Sequence, residues 1–167
     1  MLKIISTFAI SAALATSAAA QGERTCISPV ESEAVIGNLL PAIMSQSARH
    51  CAQQLGEGAF LAREGERLAA DLTPHSRASW PVAKSVMEKI GGTALPDNEA
   101  ILEAGRAIIA GGIANGLDAP ACDTVSRLTE QLAPLPAENF TGVFALFLEL
   151  GIAENASVPF KVCRAEG

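Results

Sequence analysis

The chain has 167 residues, a length that suits one domain with its own hydrophobic core, and 49% of them are hydrophobic. It carries 12 Lys and Arg against 18 Asp and Glu, a formal net charge of −6. Nucleic acids and anionic membrane surfaces are bound through clustered positive charge. Because this chain is acidic and has no basic run, we expect it to bind neither of them.

The N-terminus has the pattern of a secretory signal peptide. Lys3 precedes an apolar run that ends in the small residues Ala18–Ala20. This run is shorter than the roughly 20 residues that span a bilayer. The alternative is a buried N-terminal helix, but such a helix would not explain why the run ends in small residues. We therefore predict a cleaved signal peptide at 1–20 and a periplasmic or secreted helical domain at 21–167. Since Cys26 is not at the cleavage site, no lipid anchor is expected.

The first predicted helix, 29–55, has the clearest signals at its start. Ser28 is followed three residues later by Glu31, which predicts a capping box, and Pro29 suits the first turn. Apolar and small residues then recur at helical spacing across Pro41, with no loop residues around it. This pattern favours a kinked helix over a break at that proline.

The rest of the chain repeats apolar residues at intervals of three or four, which is typical of helices. Further helices are predicted at 59–72, where Pro74 marks the end, at 79–90, from Asp97, from a cap at Asp118, and at 137–150. No segment has the alternation of a half-buried strand, and the tail from 156 is expected to be extended or irregular. The predicted fold is all-α: a single-domain bundle of about six helices with an irregular C-terminal tail and two disulfides.

The two disulfides are predicted from an even number of cysteines in an exported chain: Cys26, Cys51, Cys122 and Cys163. Their spacing is not that of a zinc site or a C-x-x-C redox pair. Three connectivities are possible. Pairing of neighbours, Cys26 to Cys51 and Cys122 to Cys163, is the default.

A continuous helix over 29–55 opposes neighbour pairing. It would hold Cys26 and Cys51 roughly 35 Å apart, whereas a disulfide needs Cα atoms within about 7 Å. The crossed pattern, Cys26 to Cys122 and Cys51 to Cys163, keeps that helix intact. Both patterns stay open at this point.

No motif for catalysis or metal binding is present. His50 and His75 lie in no zinc-binding pattern, and neither G-x-S-x-G nor S-x-x-K occurs. Close carboxylates such as Glu64 and Glu66 are two residues apart and point to different faces of a helix. The sequence therefore predicts no catalytic residue, no metal site and no cofactor. A buried cluster of titratable residues in a cleft would reverse that expectation.

Trp80 is the one candidate binding residue. It is the only tryptophan in a chain without tyrosine, and it lies between Ser79 and Pro81 at the predicted start of a helix. A position in the core between helices is the simpler interpretation. The alternative is a binding anchor, because tryptophan is enriched at interaction hot spots.

Several segments resemble small exported helical proteins predicted in alphaproteobacterial genomes: "CISPVESEA", "LLPAI", "SWPVAK", "PLPAENF" and "PFKVC". The resemblance spans most of the chain after the signal peptide. It implies a bacterial, exported origin and no particular activity. Our first hypothesis is therefore a non-enzymatic protein that binds another macromolecule. The alternative is a carrier that holds a small molecule or lipid in a pocket between helices.

Overall fold

The structure, a computed structural model, describes residues 24–154 and 159–163. The predicted signal peptide at 1–20 lies outside the described residues. Within these ranges two short strands flank five helices. The order is β1 (Thr25–Ile27), α1 (Pro29–Leu55), α2 (Phe60–Gly91), α3 (Glu99–Asn115), α4 (Ala119–Leu132), α5 (Ala137–Glu154) and β2 (Phe160–Val162). The predicted helical fold is confirmed, with five helices in place of about six.

Helix α1 begins as its sequence predicts. The Glu31 N–H donates to Ser28 Oγ at 3.2 Å, and the Ser28 N–H donates to the Glu31 carboxylate at 2.6 Å. This capping box satisfies two backbone donors that the first turn leaves without a partner. The helix continues through Pro41 to Leu55, so the prediction that this proline does not break it is confirmed.

Helix α2 is a single helix of 32 residues where the sequence predicts two. Pro74 and Pro81 both lie inside it. Each proline removes one helical hydrogen bond and leaves the carbonyl four residues earlier without that donor, at a cost of about 3 kcal/mol. These carbonyls belong to Ala70 and Arg77, which are exposed residues, so water is available to them.

The predicted break at Pro74 is wrong because the buried face of α2 continues past both prolines. Buried residues follow one another at helical spacing along this face: Leu68, Leu72, Ser76, Ala83 and Val86. Packing of this face against α1 stabilises the whole length of the helix. The sequence suggests two helices because Pro74 lies between two apolar patterns and proline usually ends a helix.

Helices α3 and α4 start at side-chain caps. Asp118 accepts from the Ala121 N–H at 2.9 Å and is the cap of α4, as predicted. Asn98, and not Asp97, is the cap of α3; its side chain accepts from the Ala100 N–H at 3.1 Å. Helix α5 begins at the predicted residue and extends a further turn past its predicted end.

The described part of the tail, 159–163, contains a short strand, where the sequence predicts an extended or irregular segment. β2 pairs in parallel with β1, with Thr25 opposite Phe160 and Ile27 opposite Val162. A disulfide between Cys26 and Cys163 joins the same two segments, with Cα atoms 5.5 Å apart. The second disulfide joins Cys51 of α1 to Cys122 of α4, with Cα atoms 5.4 Å apart.

The prediction of two disulfides is confirmed, but neither of the pairings considered from the sequence is correct. The observed pattern nests one bridge inside the other, with Cys51–Cys122 enclosed by Cys26–Cys163 along the chain. It keeps α1 continuous, as the crossed pattern would. The strand pair, which the sequence does not reveal, brings the first and last cysteines together.

Helix α1 is central to the packing and contacts each of the other helices. The hydrophobic core lies where α1, α2, α4 and α5 meet. It is formed by Leu40, Met44, Ala48, Cys51, Leu61, Ala69, Leu72, Cys122 and Phe140. Helix α3 lies outside this core and packs mainly against α1. The space between α1, α2 and α3 holds the candidate site.

Candidate functional site

Trp80 lies in the middle of α2 and not at a helix start as predicted, because α2 continues through Pro81. The residue is half-buried and faces α3. There the guanidinium carbon of Arg106 lies 5.1 Å from the centre of the indole ring. A cation over an aromatic face is attracted by the ring quadrupole, so this contact links α2 to α3.

Arg106 is held in place by three side chains. Its Nε donates to Asn38 Oδ1 at 3.2 Å, and one terminal nitrogen donates to Glu99 at 3.0 Å and to Glu103 at 2.9 Å. Burial disfavours the charged guanidinium, but the hydrogen bonds to the two carboxylates outweigh this effect and raise the pKa of Arg106. The guanidinium is therefore a fixed cation that covers Trp80.

Asn38 connects this arrangement to the α1–α2 pair. Its side-chain amide donates to the Ser76 carbonyl at 3.4 Å, and Ser76 Oγ donates to the Asn38 carbonyl at 3.0 Å. Both residues are buried, so these bonds satisfy polar groups that are shielded from water. Trp80 follows Ser76 by one helical turn, and its position is set by this contact.

Two pockets adjoin the Trp80–Arg106 pair, and Asn38, Trp80 and Arg106 line both of them. The polar pocket has a volume of about 290 Å³ and is also lined by Pro41, Ala42, Thr73, Ser76, Arg77, Glu99 and Glu103. The apolar pocket has a volume of about 230 Å³ and is also lined by Leu39, Met87, Leu95, Pro96, Ile101, Leu102, Gly105 and Ile109.

The apolar pocket opens beside a row of exposed isoleucines on α3. We call Ile101, Ile108, Ile109 and Ile113 the α3 apolar face. Ile108 is 75% exposed, and the other three side chains are about half exposed. Ile101 and Ile109 also line the pocket, so the pocket and the face form one surface. Contiguous exposed apolar surface is characteristic of interaction sites, so this surface is the candidate functional site.

Other residues with reactive side chains are engaged in hydrogen bonds or disulfides within the protein. Ser79 Oγ donates to the His75 carbonyl at 2.9 Å, and His50 Nε2 lies 2.8 Å from the Leu117 carbonyl oxygen. All four cysteines are in disulfides. Within the described ranges, no three His, Cys, Asp or Glu side chains are grouped to hold a metal ion. None of the helices described is both long and apolar enough to cross a membrane.

Sequence reasoning singled out Trp80 but missed Arg106 and Asn38. One signal was available: Glu99, Glu103 and Arg106 follow one another at helical spacing, which predicts that the three share one face of α3. The contacts of Arg106 with Asn38 and Trp80 cross between helices and have no signature in the sequence.

No protein-family model, curated protein or solved structure matches this chain. The candidate site is therefore interpreted from its own geometry.

Proposed function

We propose that this protein is an exported, non-enzymatic binding protein, whose partner is another protein that docks on the α3 apolar face. An apolar side chain of the partner enters the apolar pocket beside Trp80. The observation that carries the proposal is the continuity of that pocket with four exposed isoleucines on one helix.

The size of the apolar pocket favours a protein partner. Its volume of about 230 Å³ is below the roughly 300–1,000 Å³ of pockets that enclose drug-sized ligands. It suits one large apolar side chain, and the surrounding isoleucines supply the apolar area around such an anchor. Tryptophan and arginine are enriched at interaction hot spots, and the half-buried Trp80 and Arg106 both line this pocket.

Export is supported by two features. The sequence at 1–20 has the pattern of a signal peptide. Two disulfides, one of them fully buried in the core, suit an oxidising compartment such as the bacterial periplasm.

The alternative function is a carrier for a small molecule. It is favoured by the polar and apolar pockets that meet at Trp80, since an amphipathic molecule could extend across both. Native mass spectrometry of the protein purified from its own envelope tests it. A co-purified small molecule that is lost in Trp80→Ala would favour the carrier over the protein-binding function.

The proposed function is tested by photo-crosslinking in envelope extract. A photoreactive amino acid at position 108 is expected to capture one defined protein, because Ile108 is the most exposed residue of the α3 apolar face. The matched control places the same amino acid at 30, since Val30 of α1 is also an exposed apolar residue, 71% exposed, and lies outside the α3 apolar face. Equal capture at positions 108 and 30, or no capture at 108, would contradict the proposal.

A further inference from the structure

The charges around the apolar pocket indicate what kind of partner fits it. Two ion-pair arrangements lie next to residues of the pocket wall. Lys84 Nζ of α2 donates to Asp97 at 2.6 Å, and Arg106 donates to Glu99 and Glu103. Both arrangements lie close to residues of the pocket wall, because Asp97 follows Pro96 and Arg106 is itself part of that wall.

In each arrangement the acid is the exposed partner. The side chain of Asp97 is 90% exposed while that of Lys84 is 28% exposed. The side chain of Glu99 is 76% exposed while that of Arg106 is 14% exposed. The cations therefore lie towards the protein and the carboxylates towards solvent. An approaching molecule meets exposed carboxylates beside the apolar opening: Asp97 follows Pro96 of the pocket wall, and Glu99 and Glu103 line the adjoining polar pocket and bind Arg106, which both pockets share. The chain as a whole has a net charge of −6, which also favours a basic partner.

On this basis we infer that the partner presents a segment with large apolar side chains flanked by lysine or arginine. The inference rests on the proposed function, because it describes the partner of that same surface. The apolar side chains would contact Ile101, Ile108 and Ile109 and enter the pocket, and the basic side chains would lie beside Asp97 and Glu99. A second copy of this chain would bring the same negative charge to the surface and is disfavoured by repulsion.

The test uses Trp80 as a fluorescent reporter, because it is the only tryptophan in the chain. Three synthetic amphipathic helical peptides without tryptophan share one leucine face and differ only in their polar positions, which are all Lys, all Gln or all Glu. We expect the Lys peptide to bind at least about tenfold more tightly than the Gln peptide in low salt, and the Glu peptide to bind most weakly. The difference should shrink as salt screens the charges.

Two variants separate the apolar contribution from the charged one. Ile108→Ser is expected to weaken the binding of the Gln peptide and of the Lys peptide to a similar degree. Asp97→Asn is expected to weaken the binding of the Lys peptide and to leave the binding of the Gln peptide unchanged. Glu57→Gln is the matched control for Asp97→Asn, because Glu57 is an exposed acid in the loop between α1 and α2, away from the pocket. This variant should change the binding of neither the Lys peptide nor the Gln peptide.

The outcomes distinguish the two proposals. Equal binding of the Lys and Gln peptides in low salt, with both weakened by Ile108→Ser, would overturn the inferred basic partner and support the α3 apolar face as a binding surface. Tighter binding of the Glu peptide would also overturn the basic partner. If none of the three peptides changes the Trp80 fluorescence, the proposed function itself is contradicted.

Discussion

At the scale of single residues, Gly65 lies where α2 packs closely against α1. A Cβ atom at this position would lie 2.5 Å from the Cβ of Ala48, and the nearby Met44 carbonyl would be 3.5 Å away. Real Cβ atoms do not approach each other so closely, so any larger residue would push the two helices apart. The absence of a side chain at Gly65 is therefore part of the α1–α2 contact.

We expect Gly65→Ala to lower the free energy of unfolding by about 1–3 kcal/mol, because the added methyl group overpacks the helix contact. Gly111→Ala is the matched control. Gly111 is in the interior of α3 with no atom within 4 Å of a Cβ placed there, so alanine should raise the free energy of unfolding by about 0.5–1 kcal/mol through helix propensity. Urea denaturation measures both. Similar destabilisation by the two variants would contradict the close contact at Gly65.

Glu31 adds a pH-dependent contribution at the start of α1. Its hydrogen bond with the Ser28 N–H lowers its pKa; burial opposes this shift, and Ser28 Oγ and Lys89 support it. A carboxyl group whose pKa is lower in the folded state stabilises that state above its unfolded pKa. This contribution is lost as the pH falls through the folded pKa.

We therefore expect Glu31→Gln to lower the free energy of unfolding at pH 7, and the difference from the wild type to shrink as the pH falls below the ordinary glutamate pKa of 4.5. Ser28→Ala removes the uncharged acceptor of the same capping box and should cost about 1 kcal/mol, with less dependence on pH. Thermal denaturation over a pH series measures both variants. A Glu31→Gln difference that stays constant into acid would rule out this contribution.

At the scale of elements, the two disulfides differ in access to solvent. Cys26 is exposed at the β1–β2 pair, whereas Cys51 and Cys122 are fully buried in the core. Thiol–disulfide exchange requires that a thiolate reach one of the sulfur atoms. The outer bridge is therefore accessible in the folded protein and the inner bridge is not.

We expect a mild reductant to open Cys26–Cys163 while Cys51–Cys122 stays intact until the protein unfolds. Alkylation at successive times, followed by peptide mapping, measures the order. The same experiment in urea is the control, because unfolding should remove the difference between the two bridges. Reduction of Cys51–Cys122 first, without urea, would show that the core opens before the strand pair.

The elements that the sequence predicts well are those with local signals. The capping box fixes the start of α1, and Asp118 fixes the start of α4. The error at Pro74 arose because the preference of proline to end a helix is local, whereas the contacts that keep α2 continuous come from α1. The disulfide pairing was predicted wrongly for a related reason. It depends on the pairing of two strands whose cysteines, Cys26 and Cys163, are 137 residues apart in sequence.

At the scale of the whole molecule, the connection between α2 and α3, residues 92–98, is the described helix-to-helix connection with the most exposed residues. It is short and largely exposed, and Gly92 has a φ of 68° at the end of α2. The Leu95 N–H donates to the Glu88 carboxylate at 2.9 Å, which holds one point of this connection to α2. Cys26 and Cys51 precede it, and Cys122 and Cys163 follow it, so both disulfides join the two halves of the chain across it.

We expect limited proteolysis by a non-specific protease to cut first at 92–98, because exposed loop backbone adapts most readily to a protease active site. The nicked protein should run as one species on a non-reducing gel and as two fragments on a reducing gel. Protein in which only Cys26–Cys163 is reduced should still run as one species, held by Cys51–Cys122. A first cut inside α3 would indicate that this helix is less firmly packed than its contacts with α1 imply.

The candidate site was predicted from the sequence only in part. Trp80 stood out because it is the only tryptophan, but its neighbours are set by how α1, α2 and α3 pack together. Asn38 and Arg106 are 68 residues apart in sequence, and the hydrogen bond between them exists only once the three helices have docked. Local patterns do not encode such a contact.

The outer disulfide also changes the topology of the polypeptide. It closes the backbone from Cys26 to Cys163 into a covalent loop without free ends, and all five described helices lie within that loop. The Cα atoms at the closure are 5.5 Å apart, a gap that two or three residues of peptide can span. Where the chain starts is thus not fixed by the packing of the helices. A circular permutant with residue 163 linked to residue 26 and new termini between α2 and α3 would keep the same helix contacts, with a peptide linker in place of the sulfur bridge.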